Sequence, residues 1–156
     1  MIKPVFTIGP SPEAKQIRTE VFCVEQGYQN EFDELDDVSV CLVLFLDEQA
    51  VATGRLLKVD PATYQVGRIA VRAPYRHKQI GSYLVLFLCE RARQMGAKTV
   101  IAHAQLDKQA FYRRLGFYDF NDGLIDEDEG VPHIYLAKDL YDSRVRRSSH
   151  RAKKGT

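Results

Sequence analysis

The sequence has no tryptophan, only three cysteines and no apolar run long enough to cross a membrane, the richest being Leu84–Cys89. Cys23, Cys41 and Cys89 stand singly among apolar neighbours, which is typical of reduced, buried thiols rather than of a disulfide framework or a metal site. Residues 1–10 have no long apolar stretch behind a basic cluster. We therefore expect no secretory signal and a cytoplasmic location.

An excess of charge of one sign is also absent, because 22 basic and 21 acidic residues give a net charge of +1. The exception is the last thirteen residues, which hold six basic side chains and no acidic one. We interpret residues 141–156 as a basic, solvated, partly disordered tail. Residues 1–140 suit a single domain. We do not expect a membrane partner, and nucleic-acid binding through the tail is the least favoured hypothesis.

Hydrophobic periodicity predicts that strands and helices alternate along the chain. Ser11 before Pro12 indicates the start of a helix that ends near Val21. A broad apolar helix begins after Gly81 and ends at Gly96, with Leu84, Leu88, Ala92 and Met95 on one stripe. Strands are predicted at 4–8, 38–46, 50–59, 64–72, 98–104 and 131–138, with a further extended segment after 117 and a hydrophilic loop before the last strand. This order favours a mixed α/β sheet in which the helix after Gly81 connects two parallel strands.

The segment from Arg76 to Ser82 directly follows a predicted strand and opens the broad apolar helix. The first turn of a helix has free backbone N–H groups and the positive end of the dipole, so an anion is favoured there. Arg76 and Lys78 add positive charge, and Gly81 lets the backbone approach a ligand. The segment therefore predicts a cradle for a pyrophosphate, with a plain solvated turn as the alternative.

The same segment resembles the coenzyme A motif of the GNAT superfamily of acetyltransferases: Arg or Gln, two free positions, Gly, one free position, then Gly or Ala. Arg76, Ile80 and Gly81 fit this pattern, whereas Gln79 replaces the usual Gly and His77 stands where many relatives also have Gly. If position 79 needs a positive φ, its side chain costs on the order of 1 kcal/mol.

A second segment carries the more specific likeness. Residues Phe111-Tyr112 and Leu115-Gly116-Phe117 resemble the family's Phe-Tyr, two residues, Leu-Gly-Phe signature. The resemblance implies that Tyr112 is the general acid that protonates the departing thiolate. The alternative is an aromatic residue of the core. Phe111 and Leu115 share one helix face, from which Tyr112 is rotated by about 100°.

The likeness extends over nearly the whole chain to Leu140 and is greatest to the ElaA-like subgroup. It rests on Arg18, Val21, Phe22, Glu25, Gln26, Tyr28, Glu31, Asp33, Asp36, His103-Ala104-Gln105 and Val131-Pro132-His133. The acidic N-terminal pattern is also similar to that of acyl-homoserine lactone synthases. The implied fold is a GNAT-like mixed α/β (α+β) architecture, with a mostly antiparallel twisted sheet of about six to seven strands flanked by helices.

The resemblance also implies the cosubstrate, acetyl-CoA, and the residues that bind it. The backbone of Ile69, Ala70 and Val71 is expected to pair with the pantetheine amides, and Gln105 occupies a place where many relatives have Asn. The pyrophosphate cradle comprises Arg76, His77, Lys78, Gln79, Ile80, Gly81 and Ser82.

Acetyl transfer to an amine needs a base near the acceptor. The candidates are Glu25, His103 and His133, with Glu25 and His133 also assigned to acceptor binding; each could instead have a structural role. No metal site is expected. The acidic stretches 31–37 and 126–129 are hypothesised to attract a cationic amine.

The sequence thus predicts an N-acetyltransferase that acts by direct transfer to a primary amine of a small molecule or peptide. Two alternatives stay open: a catalytically weak acyl-CoA-binding sensor or adaptor, and an acyltransferase like the acyl-homoserine lactone synthases. A homodimer is also left open.

Overall fold

The computed structural model describes residues 1–29 and 31–140, so the predicted basic tail at 141–156 lies outside the described residues. The strands are β1 Ile2–Ile8, β2 Val40–Leu46, β3 Gln49–Asp60, β4 Thr63–Val71, β5 Thr99–Gln105, β6 Tyr118–Asp119, β7 Ile125–Asp128 and β8 Val131–Asp139. The α-helices are α1 Pro12–Arg18, α2 Ile80–Gln94 and α3 Gln109–Arg114, with a π-helix at Thr19–Glu25 and 3₁₀ turns at Glu34–Val38, Ala73–Tyr75, Leu106–Lys108 and Asn121–Gly123. Among these helices none is both long and apolar enough to cross a membrane.

The predicted start of α1 is confirmed. The Ser11 hydroxyl accepts a hydrogen bond from the Ala14 amide at 3.2 Å, and Pro12 occupies the first turn. The chain then passes into the π-helix, so the helical segment extends to Glu25 and does not end near Val21 as predicted. Glu25 is exposed at its end and pairs with Arg76.

The sheet is mixed and mostly antiparallel, as predicted, with the strand order β1-β2-β3-β4-β5-β8-β6 and β7 paired to β8. Its eight strands exceed the expected six to seven. β7 was interpreted as part of a hydrophilic loop because three of its four residues are acidic. Glu129 and Gly130, with φ of 48° and 81°, make a two-residue turn that folds β7 back onto β8.

Helix α2 fills one face of the sheet. Leu84, Leu88 and Ala92 are fully buried in the main core, as their spacing predicts. Met95 was placed on the same stripe, and that prediction is wrong: it is 45% exposed, because the helix ends at Gln94 and Gly96 turns the chain away with φ of 97°. Helix α1 covers the opposite face.

The predicted parallel pair is β4 with β5, and it is short. Their ladder has only four residue pairs and ends at Val66 opposite Ala102. Beyond this point, β4 continues to Val71 and β5 to Gln105 with no pairing between the two strands. A wedge-shaped opening therefore separates the carboxyl ends of two central strands, which leaves an edge of β4 backbone unpaired. We call this opening the splay.

Candidate functional site

The N-terminus of α2 lies just beyond the end of β4, so the cradle segment borders the splay. In the part of the chain that the structure describes, no side chain caps this helix, in contrast to α1. The first intrahelical bond is donated by the Tyr83 amide to the Gln79 carbonyl at 3.2 Å. The amides of Ile80, Gly81 and Ser82 are thus left to bind an anion.

Both departures from the motif stand in left-handed backbone. His77 has φ of 63° and Gln79 has φ of 65°, so the condition under which Gln79 is strained is met. Glycine would adopt either conformation without the Cβ penalty. The turn therefore has the backbone shape of the motif although it lacks two of its glycines.

At Gly81, the position that a side chain would occupy faces other residues of the protein. A Cβ atom would lie 3.4 Å from Phe111 Cε1 and 3.7 Å from Val71 Cγ2, which is ordinary packing distance. An alanine methyl fits here, in agreement with the motif's choice of Gly or Ala. The small residue lets α2 pack closely against β4 and α3, which fixes the cradle to the splay.

Arg76 is engaged within the chain. Its Nε donates to the Val71 carbonyl at 2.9 Å, and its Nη1 and Nη2 contact the two carboxylate oxygens of Glu25 at 2.9 and 3.1 Å. Gln26, which follows Glu25 in the chain, accepts a hydrogen bond from Gln105 Nε2 at 2.7 Å. The end of the π-helix is thereby tied to the ends of both β4 and β5, on either side of the splay.

His103 is the first residue of β5 beyond the paired ladder. Its Nε2 lies 2.5 Å from Asp126 Oδ1, and its ring stacks on Tyr135 with centroids 4.3 Å apart. The His103 side chain is 22% exposed, so solvent or a substrate can reach it. Asp126 was not singled out individually from the sequence, because it approaches His103 only through the β7–β8 hairpin.

His133 lies beside His103, with ring centroids 4.7 Å apart. It is buried, and its Nδ1 is 2.8 Å from the Val131 carbonyl oxygen. This contact anchors the ring to its own strand. Of the three base candidates, His103 is thus accessible, His133 is buried, and both oxygens of Glu25 are bound by Arg76.

Tyr112 lies in the main core between Phe111 and Phe117, with edge-to-face contacts at 5.0 and 5.3 Å. Its rotation away from Phe111 therefore does not take it out of the core. Burial raises the pKa of the Tyr112 phenol well above its ordinary value, with a smaller contribution from Cys89. The hydroxyl stays protonated at neutral pH, which is the form that a general acid requires.

His103 and Tyr112 lie on opposite faces of the sheet. Val100, Ala102 and Ala104 belong to the core under α2, so the alternating side chain of His103 lies on the other face. Tyr112 lies on the α2 face with that core. The two side chains are therefore separated by the sheet, with His103 partly exposed and Tyr112 buried.

Three carboxylates of the acidic stretch 31–37 have a structural role that its interpretation as an amine attractor did not predict. Arg18 binds Glu31 at 2.9 Å and Asp36 at 2.7 Å, all three being buried. Arg55 binds Asp33 at 2.8 Å and Asp36 at 3.0 Å. The carboxylates of residues 31, 33 and 36 are therefore neutralised within the chain, and Arg68 adds a third guanidinium near residues 31 and 33.

Burial opposes ionisation of Asp36, but hydrogen bonds from Arg18, the Asp33 amide and Arg55 outweigh it and lower the pKa of Asp36 to about 2. The charged residues Arg18, Glu31, Asp33 and Asp36 of the pattern noted in the sequence thus belong to one ion network, which is largely buried. Its partners Arg55 and Arg68 come from β3 and β4, and no local spacing signals them.

The three cysteines are free, and Cys41 and Cys89 are buried as expected, whereas Cys23 is only partly buried and the expectation is wrong for it. Burial raises the pKa of Cys89 to about 12, so this thiol is not a nucleophile at neutral pH. Within residues 1–29 and 31–140, no group of His, Cys, Asp and Glu side chains has the arrangement of a metal site.

Comparison with known proteins identifies relatives over most of the chain. Residues 11–117 match the acetyltransferase (GNAT) family. The uncharacterised N-acetyltransferase YjcF of Bacillus subtilis is 30% identical over 129 residues, which cover 81% of this chain and 91% of YjcF. The crystal structure of Escherichia coli ElaA superposes with a TM-score of 0.77 at 26% identity, covering 89% of this chain and all of ElaA. An acyl-CoA N-acyltransferase from Pseudomonas aeruginosa gives a TM-score of 0.76 at 28% identity, covering 88% of this chain and 99% of that protein.

Proposed function

The chain belongs to the GNAT family of acetyltransferases, and from this membership we propose that it transfers an acetyl group directly from acetyl-CoA to a primary amine of a small molecule or peptide. The observation that carries the proposal is the splay, with an uncapped helix N-terminus at one end and His103 on the first residue of β5 beyond the paired ladder. Residues 1–140 are the single domain that carries the activity, and the cytoplasm is its proposed location.

The residues present fit acetyl-CoA. The free amides of Ile80, Gly81 and Ser82 would hold the pyrophosphate, with His77, Lys78 and Gln79 completing the turn and Arg76 adding charge. The backbone of Ile69, Ala70 and Val71, which has no strand partner on the side of β5, would bind the pantetheine amides; the Val71 carbonyl already accepts a hydrogen bond from Arg76. Gln105 borders the same opening. When bound, acetyl-CoA supplies the reactive thioester.

The protein's own groups would then move the protons. His103 takes a proton from the acceptor's ammonium group at Nδ1, which makes the amine nucleophilic. As the C–N bond forms and the C–S bond breaks, Tyr112 gives its phenolic proton to the thiolate sulfur. The second amine proton passes to the Tyr112 oxygen, which restores the phenol, and His103 releases its proton to bulk water.

The test is thiol release from acetyl-CoA with a panel of primary amines, compared between the parent and Tyr112→Phe. We expect kcat to fall about 100-fold or more in the variant while the KM for acetyl-CoA stays within about twofold. Tyr64→Phe is the matched control, because Tyr64 is also a buried tyrosine of the main core; its kcat should stay near that of the parent. Retained acetyl-CoA binding without thiol release across the panel would instead favour the sensor or adaptor.

A further inference from the structure

Asp126 holds His103 by a contact that no sequence motif indicates. The carboxylate comes from β7, the short strand folded against β8 by the Glu129-Gly130 turn. Its Oδ1 is 2.5 Å from His103 Nε2, and the hydrogen bond from His103 lowers the pKa of Asp126 below its ordinary value. Asp126 is therefore an anion at neutral pH and accepts the hydrogen bond.

Tyr135 contacts both Asp126 and His103. Its hydroxyl donates to the second oxygen of Asp126 at 3.2 Å, while its ring lies under the His103 imidazole with an interplanar angle of 15°. β5 and β8 pair these two residues directly across from each other. Stacking on Tyr135 thus fixes the plane of the His103 imidazole. The Asp126 carboxylate fixes its Nε2, and the Tyr135 hydroxyl in turn holds that carboxylate.

We infer that Asp126 and Tyr135 are positioning residues that hold His103 with its proton on Nε2 and its Nδ1 lone pair available for the acceptor amine. This inference rests on the proposed function for its catalytic meaning, but the tautomer can be observed without turnover. Among the described residues, none is hydrogen-bonded to His103 Nδ1, so this nitrogen is available to a substrate.

The same contacts would stabilise the positive charge that His103 carries after it accepts a proton. The neighbours of His103 are Asp126 on β7 and Tyr135 and His133 on β8. Asp126 is the anion among these three, and it lies against the nitrogen opposite Nδ1. Its charge favours the imidazolium that forms when the amine is deprotonated. Asp126 acts through His103 and contacts neither the amine nor the thioester.

The experiment uses the full chain with Asp126→Ala, Asp126→Glu and Glu127→Ala. Glu127 is the exposed neighbour of Asp126 on the same strand, which makes its variant the control for disturbance of the hairpin. The first readout is the nitrogen-15 spectrum of the His103 ring near neutral pH, which distinguishes the two tautomers. The second is the split of kcat and KM in the thiol-release assay.

We expect the parent and Glu127→Ala to show the Nε2–H form, and Asp126→Ala to show a mixture of tautomers. We further expect kcat of Asp126→Ala to fall at least about tenfold with the KM for acetyl-CoA unchanged, and Asp126→Glu to recover part of the loss. An unchanged tautomer in Asp126→Ala, or a kcat equal to that of Glu127→Ala, would overturn the inference. If the parent releases no thiol with any amine, the proposed function fails, and the nitrogen spectrum still decides whether Asp126 positions His103.

Discussion

At the scale of single residues, two side chains occupy backbone that glycine would adopt more easily. His77 and Gln79 have φ of 63° and 65°, and they stand in the turn that leads into α2. The sequence identified both as departures from a motif, and the structure supplies the physical reason why the motif has glycine there. The chain retains the turn because β4 and α2 fix it from both ends.

Gln79→Gly should therefore be more stable than Gln79→Ala, by on the order of 1 kcal/mol, because alanine keeps the Cβ that the left-handed conformation disfavours. Urea unfolding at neutral pH measures the difference. The control pair is Ser82→Gly and Ser82→Ala, inside α2, where glycine should be the less stable by about 0.5–1 kcal/mol. Equal stability of the two Gln79 variants would show that the turn is not strained.

At the scale of elements, the π-helix Thr19–Glu25 connects the two sides of the splay. Glu25 reaches Arg76 beside β4, and Gln26 reaches Gln105 at the end of β5. In this arrangement the Glu25 carboxylate is paired with the Arg76 guanidinium, which would also attract the pyrophosphate. Glu25 and the cosubstrate would therefore compete for Arg76.

Glu25→Gln should lower the KM for acetyl-CoA by up to about fivefold, since a partly exposed ion pair contributes up to about 1 kcal/mol. Its kcat should stay within about twofold of the parent value. Glu20→Gln is the matched control, because Glu20 lies in the same π-helix and pairs with Arg72 at 3.3 Å. If kcat of Glu25→Gln fell about 100-fold instead, Glu25 would be the base and the assignment to His103 would be wrong.

The buried network around Arg18 is the second feature at this scale. Asp36→Asn removes the carboxylate shared by Arg18 and Arg55, and we expect it to cost about 3–5 kcal/mol of unfolding free energy at pH 7. Asp37→Asn, at the exposed next residue, should change stability by less than about 0.5 kcal/mol. Urea unfolding of both variants measures the contrast, and similar small losses would contradict a structural role for the network.

The acid dependence of stability follows from the same group. Because the folded-state pKa of Asp36 is about 2, below an unfolded value of about 3.9, its contribution is present above about pH 4 and is lost as the pH falls toward about 2. The stability difference between the parent and Asp36→Asn should therefore shrink over that range. A difference that stays constant from pH 5 to pH 2 would show that the charge on Asp36 does not supply it.

At the scale of the whole molecule, the sequence predicted what depends on local pattern. The buried stripe of α2 from Leu84 to Ala92, the cap of α1 and the parallel β4–β5 pair were predicted from short-range or periodic signals and are confirmed, whereas Met95 on the same stripe is exposed. Missed features come from distant residues brought together by the sheet. Asp126 meets His103 across 23 positions, and Arg55 meets Asp36 across 19.

In the second acidic stretch, residues 126–129, a contact between distant residues was likewise not predicted from the sequence. Residues 126–129 were interpreted by composition as a surface that attracts cations, but no local pattern showed that Asp126 faces a histidine of β5. The hairpin register sets that contact, and β7 was not predicted as a strand because its residues are mostly acidic. A short acidic strand can still form when a tight turn pairs it with a strongly apolar partner.

A crystal structure of the full chain with acetyl-CoA bound would show where the cosubstrate lies. We expect the pyrophosphate oxygens at hydrogen-bond distance from the amides of Ile80–Ser82, and the pantetheine amides paired with the edge of Ile69–Val71 that faces β5. We also expect the thioester in the splay. A pyrophosphate bound away from the start of α2, or a pantetheine arm that does not contact β4, would contradict this expectation.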